Sequence, residues 1–213
     1  MKMMMNYALT TMLLIGMPAF ADLQQDISTI QHGWAKANYG TAKDQQEKAF
    51  DDLIKQSQAV IDNYPDKAEP KVWHAIVLST QAGVVGGFGA LGKVKAARKL
   101  LEQAEKIDAD TLDGSVYTSL GSLYYQVPGW PLGFGNDDKA EQYLKKALSV
   151  NPHGIDPNYF YGDFMLEEGN PAEAVKYFKK AMKAPARPNR PLADEGRKGE
   201  IAAKLTRAKS QLN

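Results

Sequence analysis

The sequence contains no cysteine. Disulfide bonds, thiolate metal sites and a lipid-modified N-terminal cysteine are therefore excluded. A folded chain of this composition must gain its stability from non-covalent packing alone.

Histidine is nearly as scarce, and the usual catalytic arrangements are missing. The three histidines are His32, His74 and His153, and no two of them have the i, i+4 spacing of a helical metal site. No Gly-x-Ser-x-Gly motif occurs, and no acid, base and nucleophile are grouped. The sequence therefore predicts no metal site, no cofactor and no catalytic residue, and we expect a protein that is not an enzyme.

One glycine-rich segment resembles a nucleotide-binding loop. Residues 87–92 match Gly-x-Gly-x-x-Gly, but Val94 stands where a serine or threonine hydroxyl would hold the metal. A helical pattern rather than a strand precedes the glycines. We expect a flexible turn between two helices here and no nucleotide site.

The chain has no apolar run long enough to span a bilayer. At the N-terminus, Lys2 precedes about eleven apolar residues at 7–17, against the ~20 that a membrane span needs. The small residues Ala19 and Ala21 then mark a cleavage site. We expect a signal peptide over residues 1–21 and a single periplasmic domain over 22–213.

Strand patterns are also absent, since β-branched residues are sparse and no segment alternates between polar and apolar residues. Alanine, lysine, leucine, glutamate and glutamine dominate the periodic segments, which favours helices. We predict an all-α chain. The expected helices lie at about 23–38, 43–63, 70–83, 91–107, 114–126, 136–149, 157–168, 171–183 and 193–211.

Two adjacent segments repeat one pattern of small and aromatic residues at 0, +3, +4 and +7. The first copy is Tyr117, Leu120, Gly121 and Tyr124, and the second is Asn158, Tyr161, Gly162 and Met165. Ala140 and Ala174 follow them 34 residues apart, which is the period of a two-helix repeat.

This spacing resembles the tetratricopeptide repeat. The resemblance implies a right-handed superhelical solenoid with repeats at about 70–109, 114–152 and 156–186, closed by a capping helix at 193–211 with one apolar stripe. It also implies a protein that holds a protein or peptide partner.

A narrower resemblance lies in the linking segments 127–135, 158–163 and 187–194. They are similar to exported repeat proteins related to the T component of TRAP-type solute transporters. That resemblance implies a periplasmic solute-binding protein as partner and a role beside solute uptake.

Residues one step from the core stripe should line the concave face of such a stack. By this offset we predict a groove formed by His74, Thr118, Ser122, Tyr125, Tyr159 and Asp163. The two tyrosines would either recognise a partner or pack against adjacent helices.

Two further segments stand apart from the repeats. The loop carrying Trp130 and Phe134 is too apolar to move freely in water, so it either covers the helix ends or presents Trp130 to a partner. A strap at 185–191 is proline-rich and extended, and Arg187 and Arg190 on it are candidates to anchor carboxylates.

The charge pattern adds little about the partner. Residues 171–213 carry 11 Lys and Arg against 4 Asp and Glu, but export would remove nucleic acid as a partner. Our first hypothesis is a non-enzymatic periplasmic scaffold that binds a protein. The alternative is a component that holds an organic acid or apolar solute in the solenoid groove.

Overall fold

The computed structural model describes residues 18–212, and within them the chain forms nine α-helices and no strand. The helices are α1 (Pro18–Tyr39), α2 (Lys43–Asn63), α3 (Ala68–Val85), α4 (Gly87–Asp108), α5 (Thr111–Gln126), α6 (Asp137–Val150), α7 (Ile155–Glu167), α8 (Pro171–Met182) and α9 (Pro191–Ser210). The predicted all-α class is confirmed, and the expected signal peptide lies mostly outside the described residues.

The helices form two layers because each odd-numbered helix packs against the even-numbered one that follows it. Helices α1, α3, α5, α7 and α9 also contact one another in order, so they form the inner layer of a curved stack. The first pair, α1 with α2, extends the stack beyond the three repeats that the sequence pattern shows well. Phe50, Leu53, Ser57 and Val60 of α2 are buried in it.

The stack curves until its two ends touch, since α9 packs on α8 and also contacts α1. His32 of α1 hydrogen-bonds through Nε2 to the carbonyl oxygen of Asn189 at 2.7 Å. Tyr39 of α1 lies directly against Gly196 of α9, where a Cβ atom would collide with its ring. The inner layer is therefore closed on itself rather than open at both ends.

Small residues permit the close helix pairs, as the repeated pattern predicts. A Cβ atom on Gly121 would lie 2.6 Å from Leu144 Cγ, and one on Gly162 would lie 3.0 Å from Phe178 Cδ1. These contacts join α5 to α6 and α7 to α8. Interiors packed this closely do not accept extra volume without moving a neighbour.

Asparagine side chains begin two of the outer helices. Asn136 accepts a hydrogen bond from the Lys139 amide at 2.8 Å, and Asn170 caps α8 just ahead of Pro171. An N-cap of this kind satisfies a backbone donor that the helix itself leaves unpaired. Both starts lie where the sequence predicts them.

The glycine-rich segment differs from its prediction as a flexible turn. Gly86 alone connects α3 to α4, and Gly87 already begins α4, so Gly89 and Gly92 lie within the helix. Gly86 and Gly87 have φ of 63° and 57°, a region that glycine enters without steric cost. The extra residues of this repeat lengthen both helices instead of forming a loop.

Candidate functional site

The inner layer surrounds a cavity with two adjoining chambers, which we call the polar chamber and the apolar chamber. Their volumes are about 400 Å³ and 160 Å³. Both are lined by Trp73, Ser115, Thr118, Asp156, Arg187 and Arg190. The strap and α9 form one wall of this central cavity, and α3, α5 and α7 form the others.

Asp156 is the centre of an ion-pair network along that wall. Arg187 Nη1 lies 2.8 Å from Asp156 Oδ2, and Arg197 Nε lies 2.9 Å from Asp156 Oδ1. Arg187 also pairs with Asp194, and Arg197 with Glu200. The network fixes the strap and α9 to the first turn of α7.

The same network controls the charge of Asp156. Burial alone would raise the pKa of this carboxyl, but the charges of Arg197 and Arg187 outweigh it and lower the pKa to about 2. Asp156 is thus ionised at every physiological pH. Its position in the first turn of a helix favours the same state.

Arg190 is different because its guanidinium has no carboxylate partner among residues 18–212. It lies over the Trp73 ring, with Cζ 4.9 Å from the ring centroid, and its buried Nε atom has no hydrogen-bond acceptor. Burial and the nearby charge of Arg187 lower the pKa of Arg190 to about 10. The charges of Asp156 and Asp194 oppose this shift but do not outweigh it. Arg190 therefore remains a cation at neutral pH that forms no ion pair within residues 18–212.

Trp73 brings a second unpaired donor to the cavity. The residue is 5% exposed, and within the described part of the chain its indole Nε1 has no acceptor. Its ring packs edge-on against Trp34, and Ile76, Phe160 and Ala193 complete the apolar side of the smaller chamber.

A non-helical kink in the first turn of α5 forms part of the polar chamber in a strained conformation. Leu112 and Asp113 have φ of 52° and 55°, and Gly114 follows with φ of 75°. A left-handed conformation in a non-glycine residue costs on the order of 1 kcal/mol or more. The strain is confined to residues that border the cavity or adjoin it.

Of the six residues predicted for the groove, the structure places two at the central cavity. Thr118 lines both chambers and Ser122 lines the apolar one. Their neighbour Ser115 lies on the same helical stripe and lines both chambers. The offset from the core stripe therefore identified the cavity-facing side of α5.

The remaining four predicted groove residues make contacts within the protein. His74 is buried, and its Nδ1 lies 2.7 Å from the Oγ atom of Ser57. Tyr125 donates a hydrogen bond to Asp163 Oδ2 at 3.0 Å, and Lys204 Nζ lies 2.6 Å from Asp163 Oδ1. Tyr159 is buried beneath Arg197, whose Cζ is 4.4 Å from the ring centroid.

Burial sets the ionisation of these groups. It lowers the pKa of His74, and a weaker effect of Asp62 opposes that shift. It also raises the pKa of Tyr125, with a further contribution from Asp163. Both side chains are held neutral inside the helix stack.

The two predicted loop residues have opposite environments. Phe134 packs edge-on against Tyr124 with ring centroids 5.8 Å apart, and the Arg98 guanidinium lies 4.4 Å above it. Trp130 is 90% exposed. The loop between α5 and α6 thus covers the core with one aromatic residue and presents the other to solvent.

An apolar groove of about 470 Å³ runs between this loop and the start of α4. Its walls include Ala82, Leu91, Val94, Leu123, Val127 and Leu132. Phe88 lines it and is 91% exposed. The groove adjoins the apolar chamber, because Ser79, Ser122 and Gln126 line both.

Several cavity residues were not predicted as site residues. Trp73 was assigned to a core position, and Arg197 was not singled out within the capping helix. Asp156 lies on the same offset stripe as Tyr159 and Asp163, so the pattern could have found it. Arg197 could not be found in this way, because the apolar stripe of the capping helix gives its buried face but not which polar residue beside that stripe reaches α7.

The described chain offers neither a metal cluster nor a membrane-spanning helix. Residues 18–212 contain no group of three or more metal-ligating side chains that could hold an ion. None of the helices in that range combines the length and the apolar character of a membrane span.

Comparison with known proteins gives matches at the level of repeat and fold. A family model described as the tetratricopeptide repeat matches residues 132–153 and 155–187. The second match contains the whole of α7 and α8. No curated protein matches the chain significantly.

Solved structures give the same result for the fold. The chain is similar to TTC0263, a thermophilic tetratricopeptide repeat protein in Thermus thermophilus, with 15% identity and a TM-score of 0.56 over 86% of this chain and 99% of that one. It is also similar to MamA, with 17% identity and a TM-score of 0.41 over 79% and 92% of the two chains. A third match is pilF of Pseudomonas aeruginosa, with 16% identity and a TM-score of 0.36 over 90% and 92%. Residues 132–153 and 155–187 thus match the tetratricopeptide repeat, and the all-helical paired fold of the chain is similar to that of a solved tetratricopeptide repeat protein.

Proposed function

We propose that this protein is an exported, non-enzymatic scaffold that binds a protein partner in the apolar groove. Tetratricopeptide repeats typically mediate interactions between proteins. The observation that carries the proposal is the pair of exposed aromatic residues on the two segments that form the groove. Phe88 lines the groove and is 91% exposed, and Trp130 is 90% exposed on the loop whose residues Pro128 and Leu132 line it. Large apolar side chains in such positions are typical of interaction sites.

Backbone hydrogen bonds order the loop that carries Trp130. The Gly135 amide donates to the Pro128 carbonyl at 3.0 Å, and the Asn136 amide donates to the Tyr124 carbonyl at 2.8 Å. With Phe134 anchored in the core, the loop is a short ordered projection. A rigid aromatic residue provides contact area at a small entropic cost, which suits recognition.

The charges beside the groove indicate the partner's chemistry. The first part of α4 carries Lys93, Lys95, Arg98 and Lys99 and no acidic residue before Glu102. A segment with apolar side chains flanked by Asp or Glu is complementary to this surface. Opposite charges at a rim accelerate association more than they raise affinity.

The sequence supports a location and a physiological role for the scaffold. The apolar N-terminus with its small-residue cleavage site supports export to the periplasm. The similarity to the T component of TRAP-type transporters makes an exported solute-binding protein the first partner to test and solute uptake the process to examine.

A site-specific photo-crosslinker in intact cells tests the docking site. We expect crosslinkers at positions 88 and 130 to capture the same protein, and one at the exposed position Lys179 on α8 to capture none. Phe88→Ala and Trp130→Ala should then weaken binding of that purified protein by tenfold or more, on the order expected for an interface hot spot. Leu212→Ala is the matched control, because Leu212 is exposed but distant in sequence from the groove. Equal capture at all three positions, or unchanged affinity of both groove variants, would refute the proposed docking site.

The N-terminal residue of the protein recovered from cells tests export. Intact-mass and N-terminal analysis of protein recovered from the periplasmic fraction should give a chain beginning at Asp22. Recovery of a chain that retains Met1 in the cytoplasmic fraction would contradict the assignment.

A further inference from the structure

We propose that the central cavity binds a small organic acid, with the carboxylate held at Arg190 and the apolar part of the molecule in the apolar chamber. The cavity adjoins the docking groove, but Arg190 and Trp73 do not line the groove, and binding of the acid does not depend on a protein partner. It deepens the ligand-binding alternative by assigning the anchoring cation and the chemical class.

A comparison of the three arginines on the cavity wall identifies the one that would hold the carboxylate. Arg187 and Arg197 both share Asp156, and each has a further carboxylate of its own. Arg190 shares the same wall but forms no ion pair among the described residues, and the charges of Asp156 and Asp194 act on it only from a longer distance. A guanidinium recognises a carboxylate through a pair of parallel N–H donors, so a carboxylate is the ligand group that fits it best.

Trp73 sets the position of this guanidinium. Arg190 stacks on Trp73, and both side chains carry a buried N–H without an acceptor in the described chain. These two nitrogen atoms are covered by protein atoms, so a bound carboxylate would pair with the terminal N–H groups of Arg190. Buried donors are normally paired, and the two unpaired ones indicate that the described chain places no acceptor of its own against this part of the wall.

The charge balance limits the ligand to one negative charge. The wall contains Arg187, Arg190 and Arg197 against Asp156, Asp194 and Glu200, so these side chains carry no net charge, and the exposed Asp113 also borders the polar chamber. Within residues 18–212, Arg190 is the one cation of this wall that forms no ion pair, so a single carboxylate can pair with it, and a second negative charge would be repelled by the carboxylates already present. A phosphate dianion or a dicarboxylate is therefore disfavoured relative to a monocarboxylate.

The size of the apolar chamber limits the rest of the molecule. Its volume is about 160 Å³, and a dry cavity of about 150 Å³ holds one benzene molecule. Trp34, Ile76 and Phe160 provide apolar walls, while Thr118 and Ser122 add hydroxyl groups. An acid with an aromatic ring or about six carbon atoms fills this space.

The decisive ligands are sodium benzoate and its uncharged analogue benzamide, measured at constant ionic strength by calorimetry and thermal shift on the protein as the cell processes it. We expect saturable binding of benzoate or hexanoate, with benzamide binding at least tenfold more weakly because it lacks the charge. Inorganic phosphate should bind more weakly than benzoate. Benzamide binding as tightly as benzoate, tighter binding of phosphate, or no saturable binding of either acid up to ~10 mM would overturn the proposal.

Variants tie the binding to the cavity. Arg190→Gln should weaken benzoate binding by tenfold or more, whereas Lys183→Gln removes an exposed positive charge near the strap and should leave it unchanged. Trp73→Phe keeps an aromatic ring but reduces the surface on which Arg190 stacks and should weaken binding by a smaller factor, which gives a second test if Arg190→Gln folds poorly. Benzoate binding that survives both substitutions would refute the site. Neither substitution should change binding of a partner at Phe88 and Trp130, so failure of this proposal and failure of the docking groove are distinguishable.

Discussion

Arg197 on α9 donates from Nε to Asp156 Oδ1 on α7 at 2.9 Å. This bond joins the last helix to the inner layer, and Asp156 also accepts from Arg187 of the strap at 2.8 Å. One carboxylate therefore compensates two buried or half-buried cations. The wall of the central cavity depends on it.

Removing that carboxylate should destabilise the fold. Asp156→Asn keeps the shape of the side chain but removes the negative charge that Arg187 and Arg197 share. We expect a loss of about 2–3 kcal/mol in the free energy of unfolding. Urea denaturation measures it. Asp137→Asn changes a first-turn aspartate of α6 that is exposed, and should cost less than about 1 kcal/mol. Equal effects of the two substitutions would contradict the central role of Asp156.

The lowered pKa of Asp156 predicts that this carboxylate contributes to unfolding in acid. Its folded pKa of about 2 lies below the ordinary value of 3.8. The stabilisation is therefore complete above pH 3.8 and is lost as pH falls towards 2, by about 2 kcal/mol in total. The difference in stability between the wild type and Asp156→Asn should shrink over this interval. A difference that stays constant from about pH 5 to about pH 2 would show that Asp156 is not held ionised by the arginines.

His74 predicts a second pH dependence at milder acidity. Burial lowers its pKa below the ordinary value of 6.5, so the unfolded chain takes up a proton before the folded one does. Stability should fall as pH decreases below 6.5, by at most about 1.4 kcal/mol per pH unit. His74→Gln should remove this slope, whereas replacement of the exposed His153 by glutamine should not. An unchanged slope in His74→Gln would assign the dependence to another group.

Close helix packing makes the repeat glycines sensitive to a single added methyl group. We expect Gly121→Ala to cost about 1–3 kcal/mol, because the new Cβ atom would lie 2.6 Å from Leu144 Cγ. Gly162→Ala should cost less, since its nearest contact is 3.0 Å. Gly199→Ala in α9 meets no atom within 4 Å and should be neutral or stabilising by up to about 1 kcal/mol. Melting temperatures of the three variants test this order, and a Gly121→Ala protein as stable as Gly199→Ala would contradict the packing.

Substitution of the two aromatic residues of the loop should affect the stability of the protein to different extents. Phe134→Ala removes contacts with Tyr124 and Arg98 and should destabilise the protein by about 1–3 kcal/mol. Trp130→Ala should change stability by less than about 0.5 kcal/mol, because the side chain is 90% exposed. Thermal unfolding of the two variants measures the contrast. A large loss of stability in Trp130→Ala would mean that the tryptophan is structural.

Sequence periodicity located all nine described helices and their order. It succeeds because local composition decides helix formation, and because prolines and asparagines at 63–65, 151–152 and 170–171 mark helix ends. The lengths of α3 and α4 were underestimated. Glycines normally suggest a turn, and here only Gly86 makes one.

Site prediction was limited by a different factor. The stripe offset from the core found Thr118 and Ser122 at the cavity, since both are set by the 3.6-residue period of one helix. The same rule also selected His74, Tyr125, Tyr159 and Asp163, which the structure places in contacts between helices. Periodicity gives the face of a helix but not the residue from another helix that covers it.

The sequence by itself determined the helical class, the paired repeats and the small residues that let paired helices approach. These properties depend on neighbours within about 40 residues, where spacing along the chain limits spacing in space. Tertiary structure alone decided that α1 meets α9, that Asp156 pairs with Arg197, and that Arg190 stacks on Trp73 without an ion pair within the described residues. The contacts of α1 with α9 and of Arg190 with Trp73 join distant segments through the accumulated curvature of the stack, and no local pattern specifies where that curvature closes.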